Sequence, residues 1–356
     1  MKIIADENLA FTDYFFAEFA EIQHKAGRTL THVDVQDADA LLVRSVTKVN
    51  HALIDQTKIQ FVGSATIGTD HLDISALEQQ NIAWSNAAGC NAQAVAEYVI
   101  TALLHLNIDL LEQEKAFTLA IVGLGNVGKR LAIMAQLLGW NVIGYDPYVQ
   151  LAGIENLSFD ELLKHADAIS IHVPLTLSGE YPTQHLFNEA AFAAMKPSAI
   201  LINSARGPVI QQSALMADIE KTKRQVVLDV FEFEPEIPEI LLNMLALATP
   251  HIAGYSLEGK ARGTQMIYEA FCRKFAYPAA SKQFESQLPS VAPYFEQQAL
   301  NAALRQHLTQ IYDIAADDQQ LRDCVQNGKV EQTAFDLLRK NYPLRREWAA
   351  HGGPKA

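Results

Sequence analysis

The sequence predicts an α/β protein of two doubly wound parallel-sheet domains, followed by a mainly helical C-terminal segment. Three observations carry this. Short apolar runs alternate with helix-like runs from Lys2 to about residue 250, the pattern of βαβ units on a mostly parallel sheet. One such unit, from Phe117 to Asp146, holds Gly123-Leu124-Gly125-Asn126-Val127-Gly128 between an apolar run and a helical one. After Pro293 the chain is instead mostly helical and charged up to Trp348, and ends in HGGPKA, which reads as a frayed tail.

Residues 2–5, 11–20, 40–43, 59–64, 74–79 and 82–84 supply the first alternation, enough for a core of their own. A long helix from about Asn91 then carries the chain into the second domain. Residues 94–111 are the longest apolar stretch, but Glu97, His105, Asn107 and Asp109 interrupt it. That suits a buried inter-domain helix and excludes a membrane span. Residues 117–122 form a buried strand, 129–138 a helix stopped by Gly139, and 141–145 a second strand ending at Asp146. Strands at 168–173, 199–202, 226–230 and 245–249, with helices at 158–165, 189–195 and 212–221, complete the sheet. A helix over 256–275 returns to the first domain, and 278–293 reads as a linker. The expected organisation is 1–93 with 256–280, then 94–255, then 286–356. No internal repeat of solenoid period is present.

The glycine-rich turn has a physical reading. Gly123 permits the tight turn, Gly125 lets backbone approach a pyrophosphate, and Gly128 lets helix pack on strand. The free N–H groups and positive dipole end of the helix face the anion. Asp146 stands where a carboxylate hydrogen-bonds the adenosine ribose and repels a 2′-phosphate, so NAD is favoured over NADP. A bare G-x-G-x-x-G also marks ordinary turns; here strand, helix, second strand and acid are all in register with it.

The chain has 356 residues, 49% of them hydrophobic, and a formal net charge of −13. This is an ordinary globular composition, and the acidic balance argues against nucleic acid or an anionic membrane as partner. Cys90, Cys272 and Cys324 are odd in number and widely spaced, which fits a reduced cytoplasmic setting. Cys90 follows Gly89 near a helix start, where a thiolate is stabilised, although a buried inert thiol is the simpler reading. The N-terminus carries Asp6 and Glu7 where a signal peptide is apolar.

Ligands of open α/β sheets bind outside the carboxyl ends of the strands. Here 199–202 runs into Asn203-Ser204-Ala205-Arg206, 226–230 into Phe231-Glu232-Phe233-Glu234, and 245–249 into Pro250-His251-Ile252-Ala253-Gly254-Tyr255. A guanidinium grips a carboxylate bidentately. An imidazole takes the proton of a hydroxyl as its carbon gives up hydride. A carboxylate on the other ring nitrogen fixes the tautomer and stabilises the imidazolium. Singly, Arg206 reads as a turn cap, Glu234 as a solvated acid and His251 as a structural histidine; together at successive strand ends they form a set. His71, in TDHLD, is a rival base, though a helix-capping Asp beside a structural His is more economical. No cluster has metal-ligand spacing, and there is no G-x-S-x-G elbow.

At GLGNVGKR, YDP, HVPL, NSARGPVI, LDVFEFEPE and TPHIAGYS the chain resembles the D-isomer-specific 2-hydroxyacid dehydrogenases, over roughly residues 40–275. Narrower signals extend this over nearly the whole chain: VRSVTKVN (43–50), GTDHLD (68–73), GCNAQAVAEYV (89–99), AGYSLEGKARGT (253–264) and LRKNYPLRREW (338–348). They resemble the branch that oxidises a phosphorylated four-carbon 2-hydroxyacid, 4-phospho-D-erythronate, in vitamin B6 biosynthesis. The resemblance implies a Rossmann NAD domain inserted in a flavodoxin-like substrate domain, a C-terminal dimerisation segment and a homodimer. It implies Arg206, Glu234 and His251 as the catalytic set, with His251 as acid–base. It implies NAD contacts from Gly123, Gly125, Asn126, Val127, Gly128, Asp146, Ser204, Ala205, Asp229 and Gly254, and from the backbone of Val173. Substrate contacts fall to Ser45, Thr66 and Tyr255, with Arg44 and Lys48 after the 40–43 run as cations for the phosphate. Arg345 or Arg346 offers a further cation from a partner subunit. Two other readings compete: a dehydrogenase of another phosphorylated 2-hydroxyacid, such as 3-phosphoglycerate, and a non-catalytic NAD-sensing regulatory protein.

Overall fold

The computed structural model describes residues 1–112, 116–278 and 282–355. Residues 279–281 of the expected linker, the first two of which close the expected 256–280 segment, and Ala356 of the tail lie outside them. The chain forms two compact units, Met1–Asn91 with Ser256–Ser290, and Ala92–Tyr255 with Val291–Ala356.

The first unit is built on strands β1 (Lys2–Asp6), β2 (Glu21–Lys25), β3 (Ala40–Val43), β4 (Phe61–Ser64) and β5 (Ala83–Asn86). All pair in parallel in the order β2-β1-β3-β4-β5. β3 is buried along its whole length, as a continuous apolar run in a doubly covered parallel sheet must be. One face packs Phe15, Phe16, Phe61, Tyr268 and Phe271, and the other Ile4, Leu41, Val62 and Leu77. Burying each of these large side chains stabilises the fold by about 1.5–3 kcal/mol. The helix Leu257–Phe275 supplies Tyr268 and Phe271 and starts at Ser256, whose hydroxyl accepts the Gly259 N–H. β2 is absent from the sequence reading because EIQHK lies at the sheet edge, exposed or half-buried, with no apolar run. Helices His32–Val35 and His51–Ile54 are missed for another reason, being too short to show a period.

The second unit holds β6 (Thr118–Val122), β7 (Asn141–Tyr145), β8 (Glu155–Asn156), β9 (Ala168–Ile171), β10 (Ile200–Asn203), β11 (Val226–Leu228), β12 (Ile237–Pro238) and β13 (Leu247–Ala248). Seven of these form one parallel sheet ordered β13-β11-β10-β9-β6-β7-β8. Helix Asn126–Leu137 follows the glycine turn and ends at Gly139 with φ +83°, the left-handed stop the sequence predicts.

The C-terminal residues carry helices Leu300–Ile311, Ile314–Asp323 and Gln332–Lys340, and a hairpin of β14 (Val325–Gln326) and β15 (Lys329–Val330). The hairpin turns at Asn327 and Gly328, both at positive φ, the Asn-Gly signal of a two-residue turn. β15 pairs antiparallel with β12. Phe295, Leu304, Ile311 and Trp348 join the core under the sheet on one side, and Leu321, Val330 and Phe335 on the other. This segment therefore buries its apolar faces largely within its own unit. Among the described residues no helix is long and apolar enough to cross a membrane.

Candidate active site

The glycine turn forms at the end of β6. Gly123 has φ +96°, and a Cβ there would lie 2.7 Å from the His172 carbonyl. A Cβ on Gly128 would lie 2.0 Å from the Gly123 oxygen, whereas one on Gly125 would meet nothing within 4 Å. Gly123 and Gly128 are thus demanded by packing, while Gly125 leaves open space over the helix N-terminus. That is the cradle a pyrophosphate needs. Asp146, at the end of β7, accepts the Leu124 N–H at 2.8 Å on one oxygen and the Tyr148 and Val149 N–H groups on the other. Its carboxylate is fixed against the turn, with lone pairs remaining for a ribose. The residues present fit a dinucleotide.

Three loops at the same sheet edge bring the predicted catalytic side chains to one region. After β10, the Asn203 amide donates to the Arg206 carbonyl, and Arg206 Nη1 donates to the Ala205 carbonyl at 2.8 Å. A Cβ on Gly207 would lie 1.8 Å from the Phe231 oxygen, so only glycine lets this loop touch the next. In that next loop Glu234 accepts the Phe231 N–H at 2.8 Å on Oε1 and meets His251 Nδ1 at 2.9 Å on Oε2. Nε2 of His251 has no hydrogen-bond partner among the described residues. Burial pushes the Glu234 carboxyl up, but the imidazole, the Phe231 N–H and Arg339 outweigh it and hold it below its ordinary value. His251 itself adopts φ +57°, a left-handed conformation that persists in a non-glycine residue only when its surroundings impose it.

Asp229, at the end of β11, supplies part of that imposition. It is buried; Oδ1 accepts the Thr249 hydroxyl at 2.6 Å and the Ile252 N–H at 2.7 Å, and Oδ2 the Ala253 N–H at 2.9 Å. The Tyr98 hydroxyl meets Thr249 Oγ1 at 2.7 Å behind it. Burial drives the Asp229 carboxyl upward, and His251 and these donors pull it back to about 6. Ser204, Ala205 and Gly254 are half-buried on the same edge, with Ser204 Oγ enclosed and without a hydrogen-bond partner among the described residues. Val173 lies against the turn, its nitrogen 2.9 Å from where a Gly123 Cβ would stand. His172, half-buried and bonded to Ser170, is pushed down to about 3 by desolvation and stays neutral.

Two arginines of the C-terminal segment also reach this edge; the sequence leaves Arg339 without a role and suggests Arg345 for a partner's site. Arg339 lies 5.8 Å from the Tyr255 ring centroid, hydrogen-bonds Tyr255 and acts electrostatically on Glu234. Arg345 is buried against the loop that follows His251, which rules it out as a cation reaching into a partner's site. Its RREW context shows only charge, and the carbonyls that absorb that charge are far off in sequence.

Arg44, Ser45 and Thr66 belong to the first unit. Arg44 Nε donates to the buried Asp6 at 3.0 Å, and its terminal nitrogens have no hydrogen bond among the described residues. Ser45 and Lys48 are exposed. Thr66 Oγ1 meets Ser64 Oγ, which also meets His71 Nε2 at 2.9 Å. Asp73 accepts the Ala76 N–H at 3.0 Å and so caps the helix that follows His71. No group of three His, Cys, Asp or Glu side chains able to hold a metal occurs among the described residues. Cys90 is buried.

Residues 107–253 match the family described as D-isomer specific 2-hydroxyacid dehydrogenase, NAD binding domain. Residues 287–351 match a domain of unknown function, DUF3410. The chain is 73% identical, over all of both chains, to erythronate-4-phosphate dehydrogenase of Acinetobacter baumannii. It is 45% identical to that of Psychrobacter cryohalolentis, over 98% of this chain and 97% of the relative. Its fold resembles D-lactate dehydrogenase of Aquifex aeolicus complexed with NAD and lactic acid, with a TM-score of 0.64 and 23% identity over 78% of this chain and 96% of that one. The chain belongs to the erythronate-4-phosphate dehydrogenase family, within the D-isomer-specific 2-hydroxyacid dehydrogenases.

Proposed function

We propose that the chain catalyses the NAD-dependent oxidation of 4-phospho-D-erythronate to 2-oxo-3-hydroxy-4-phosphobutanoate in pyridoxal 5′-phosphate biosynthesis. The observation that carries the chemistry is the His251–Glu234 pair, bonded at 2.9 Å through Nδ1 with Nε2 left open. It stands at the edge of the sheet that also bears the glycine turn. NAD, when bound, supplies the hydride acceptor. Arg206 holds the substrate carboxylate by a bidentate fork and turns C2 toward His251. His251 Nε2 takes the proton of the C2 hydroxyl while the C2 hydrogen leaves with its electron pair and the C=O bond forms. Glu234 keeps the Nδ1–H tautomer and stabilises the imidazolium. Ser204, Ala205, Gly254 and Val173 line the cofactor edge, and Asp146 selects NAD. Ser45, Thr66, Tyr255 and Arg44 hold the substrate, with the two terminal nitrogens of Arg44 available for its phosphate.

Residues 1–93 with 256–280 serve as the substrate domain, 94–255 as the NAD domain and 286–356 as the dimerisation domain of a cytoplasmic homodimer. Three cysteines, odd in number and widely spaced, support the cytoplasm, and exposed Leu337 on helix Gln332–Lys340 offers an apolar contact. Sedimentation of the full chain as a monomer would refute the dimer. The activity is tested by following NADH absorbance with 4-phospho-D-erythronate, 3-phosphoglycerate and unphosphorylated erythronate. The first should have much the highest kcat/KM; preference for another acid, or NAD binding without turnover of any, would overturn the reading.

A further inference from the structure

The mechanism above leaves the C-terminal segment without a chemical task, yet its most buried cation lies on the catalytic loop. Arg345 Nη1 donates to the carbonyls of Ile252 at 3.1 Å and Tyr255 at 3.4 Å. Nη2 donates to the carbonyl of Ala94 at 3.0 Å and to that of Ala253. The guanidinium carbon stands 4.4 Å from the centroid of the Tyr312 ring. On the other side of the same loop, the Ile252 and Ala253 N–H groups go to Asp229. The backbone after His251 is thus gripped from both sides: its donors by a carboxylate from β11, its acceptors by a guanidinium from the C-terminal segment. Buried backbone groups need such partners, and a planar fork with five donors spans several carbonyls where an ammonium does not.

The segment also braces the loop that bears Glu234. β15 pairs with β12 directly after Glu234-Pro235-Glu236, and Lys329 meets Glu236 at 2.8 Å. The Trp348 N–H, three residues beyond Arg345, donates to buried Glu97 at 3.0 Å, which ties the end of the segment to helix Ala92–Leu106.

We propose that Arg345 is a positioning residue for catalysis, and that residues 287–351 act as a brace holding the His251 loop in its left-handed conformation. The brace acts through the carbonyls of residues 252, 253 and 255 and touches neither substrate nor cofactor. The inference rests on His251 being the acid–base group.

The test compares Arg345→Lys, Arg345→Met and His251→Asn in the full chain, by circular dichroism, NAD Kd from tryptophan fluorescence, and steady-state kinetics. Misplacing a catalytic group by about 1 Å costs on the order of 100-fold. Arg345→Met should therefore lose kcat on that order and Arg345→Lys less, with NAD Kd and both KM values unchanged. A merely structural residue would lower the folded fraction or weaken NAD binding without this split. Folded, NAD-binding Arg345 variants with parental kcat, beside an inactive His251→Asn, overturn the brace. An active His251→Asn overturns the acid–base reading instead. If neither Arg345 variant folds, Tyr312→Leu decides by withdrawing the ring from the guanidinium: a lowered kcat at unchanged KM supports the brace, and parental kcat removes it.

Discussion

Replacing Glu234 by Gln keeps the shape of the side chain and removes its charge. The lost interaction can be sized from the geometry. A carboxylate and an imidazolium with charge centres about 4 Å apart attract by about 4 kcal/mol at an effective dielectric of 20. The His251 side chain is 33% exposed and that of Glu234 23%, so solvent screening reduces this to about 2–3 kcal/mol. Imidazolium forms only as the proton leaves the substrate, so the loss falls on the transition state. It converts to a decrease of about 30- to 150-fold in kcat/KM. Near-normal KM for NAD is expected, because Glu234 faces His251 and the Phe231 N–H. The stronger test is the double mutant with His251→Asn. Once the imidazole is gone Glu234 has nothing to stabilise, so the double variant should be hardly worse than His251→Asn alone. Stopped-flow or steady-state NADH absorbance measures all three. A double-variant loss equal to the product of the single losses would show that the two residues act independently, against the 2.9 Å contact.

Asp146→Ala should relax the preference for NAD by removing repulsion of a 2′-phosphate; an unchanged ratio of kcat/KM for NAD and NADP counts against Asp146 as the ribose reader. Arg206→Lys should fold normally but lose on the order of 2–5 kcal/mol of transition-state binding, since a point charge cannot replace the fork; kcat/KM near that of the parent would exclude the carboxylate role. Arg44→Ala should raise KM for the phosphorylated acid strongly and barely alter activity on unphosphorylated erythronate, whereas equal loss on both places the phosphate elsewhere. Asp229, raised from 3.8 to about 6, keeps in the native state a proton that the unfolded chain releases, so its contribution to stability falls as pH rises from about 4 to 6. About two units correspond to roughly 3 kcal/mol, and urea unfolding of the parent against Asp229→Asn should show the difference between them change by up to that amount across this window; a pH-independent difference refutes it.

The legible parts of the molecule are those where one local rule fixes both sequence and place. Gly123 and Gly128 are required by contacts of 2.7 and 2.0 Å with neighbouring backbone, so the turn is written in the sequence as glycine. Parallel topology then places Arg206, Glu234 and His251, because loops after parallel strands open at one edge. Edge strand β2 and the two-residue strands β8, β12, β14 and β15 are not legible, since they lack the apolar run that buried strands need, whereas β13 lies within the apolar 245–249 run. The Asn327-Gly328 hairpin carried a readable signal, but its pairing with β12 did not. Nothing local in Lys329 and Val330 says that their partners are Pro238 and Ile237.

Arg345 shows why charge alone misleads. In sequence, RREW in an acidic protein looks like a surface cation set awaiting an anion. In the fold, the guanidinium is buried against four carbonyl oxygens and the face of Tyr312. Partial charges on backbone carbonyls, invisible in any count of ionisable residues, stabilise the cation there beside the buried Glu97 carboxyl. The same holds in mirror image for Asp229, a buried carboxylate met by two N–H groups and a hydroxyl. The strained His251 loop therefore lies between one anion and one cation, and its own peptide groups bond to both. Moving either charge would leave peptide dipoles unsatisfied beside the acid–base group, which makes these two residues part of the catalytic geometry although the backbone stands between them and any substrate.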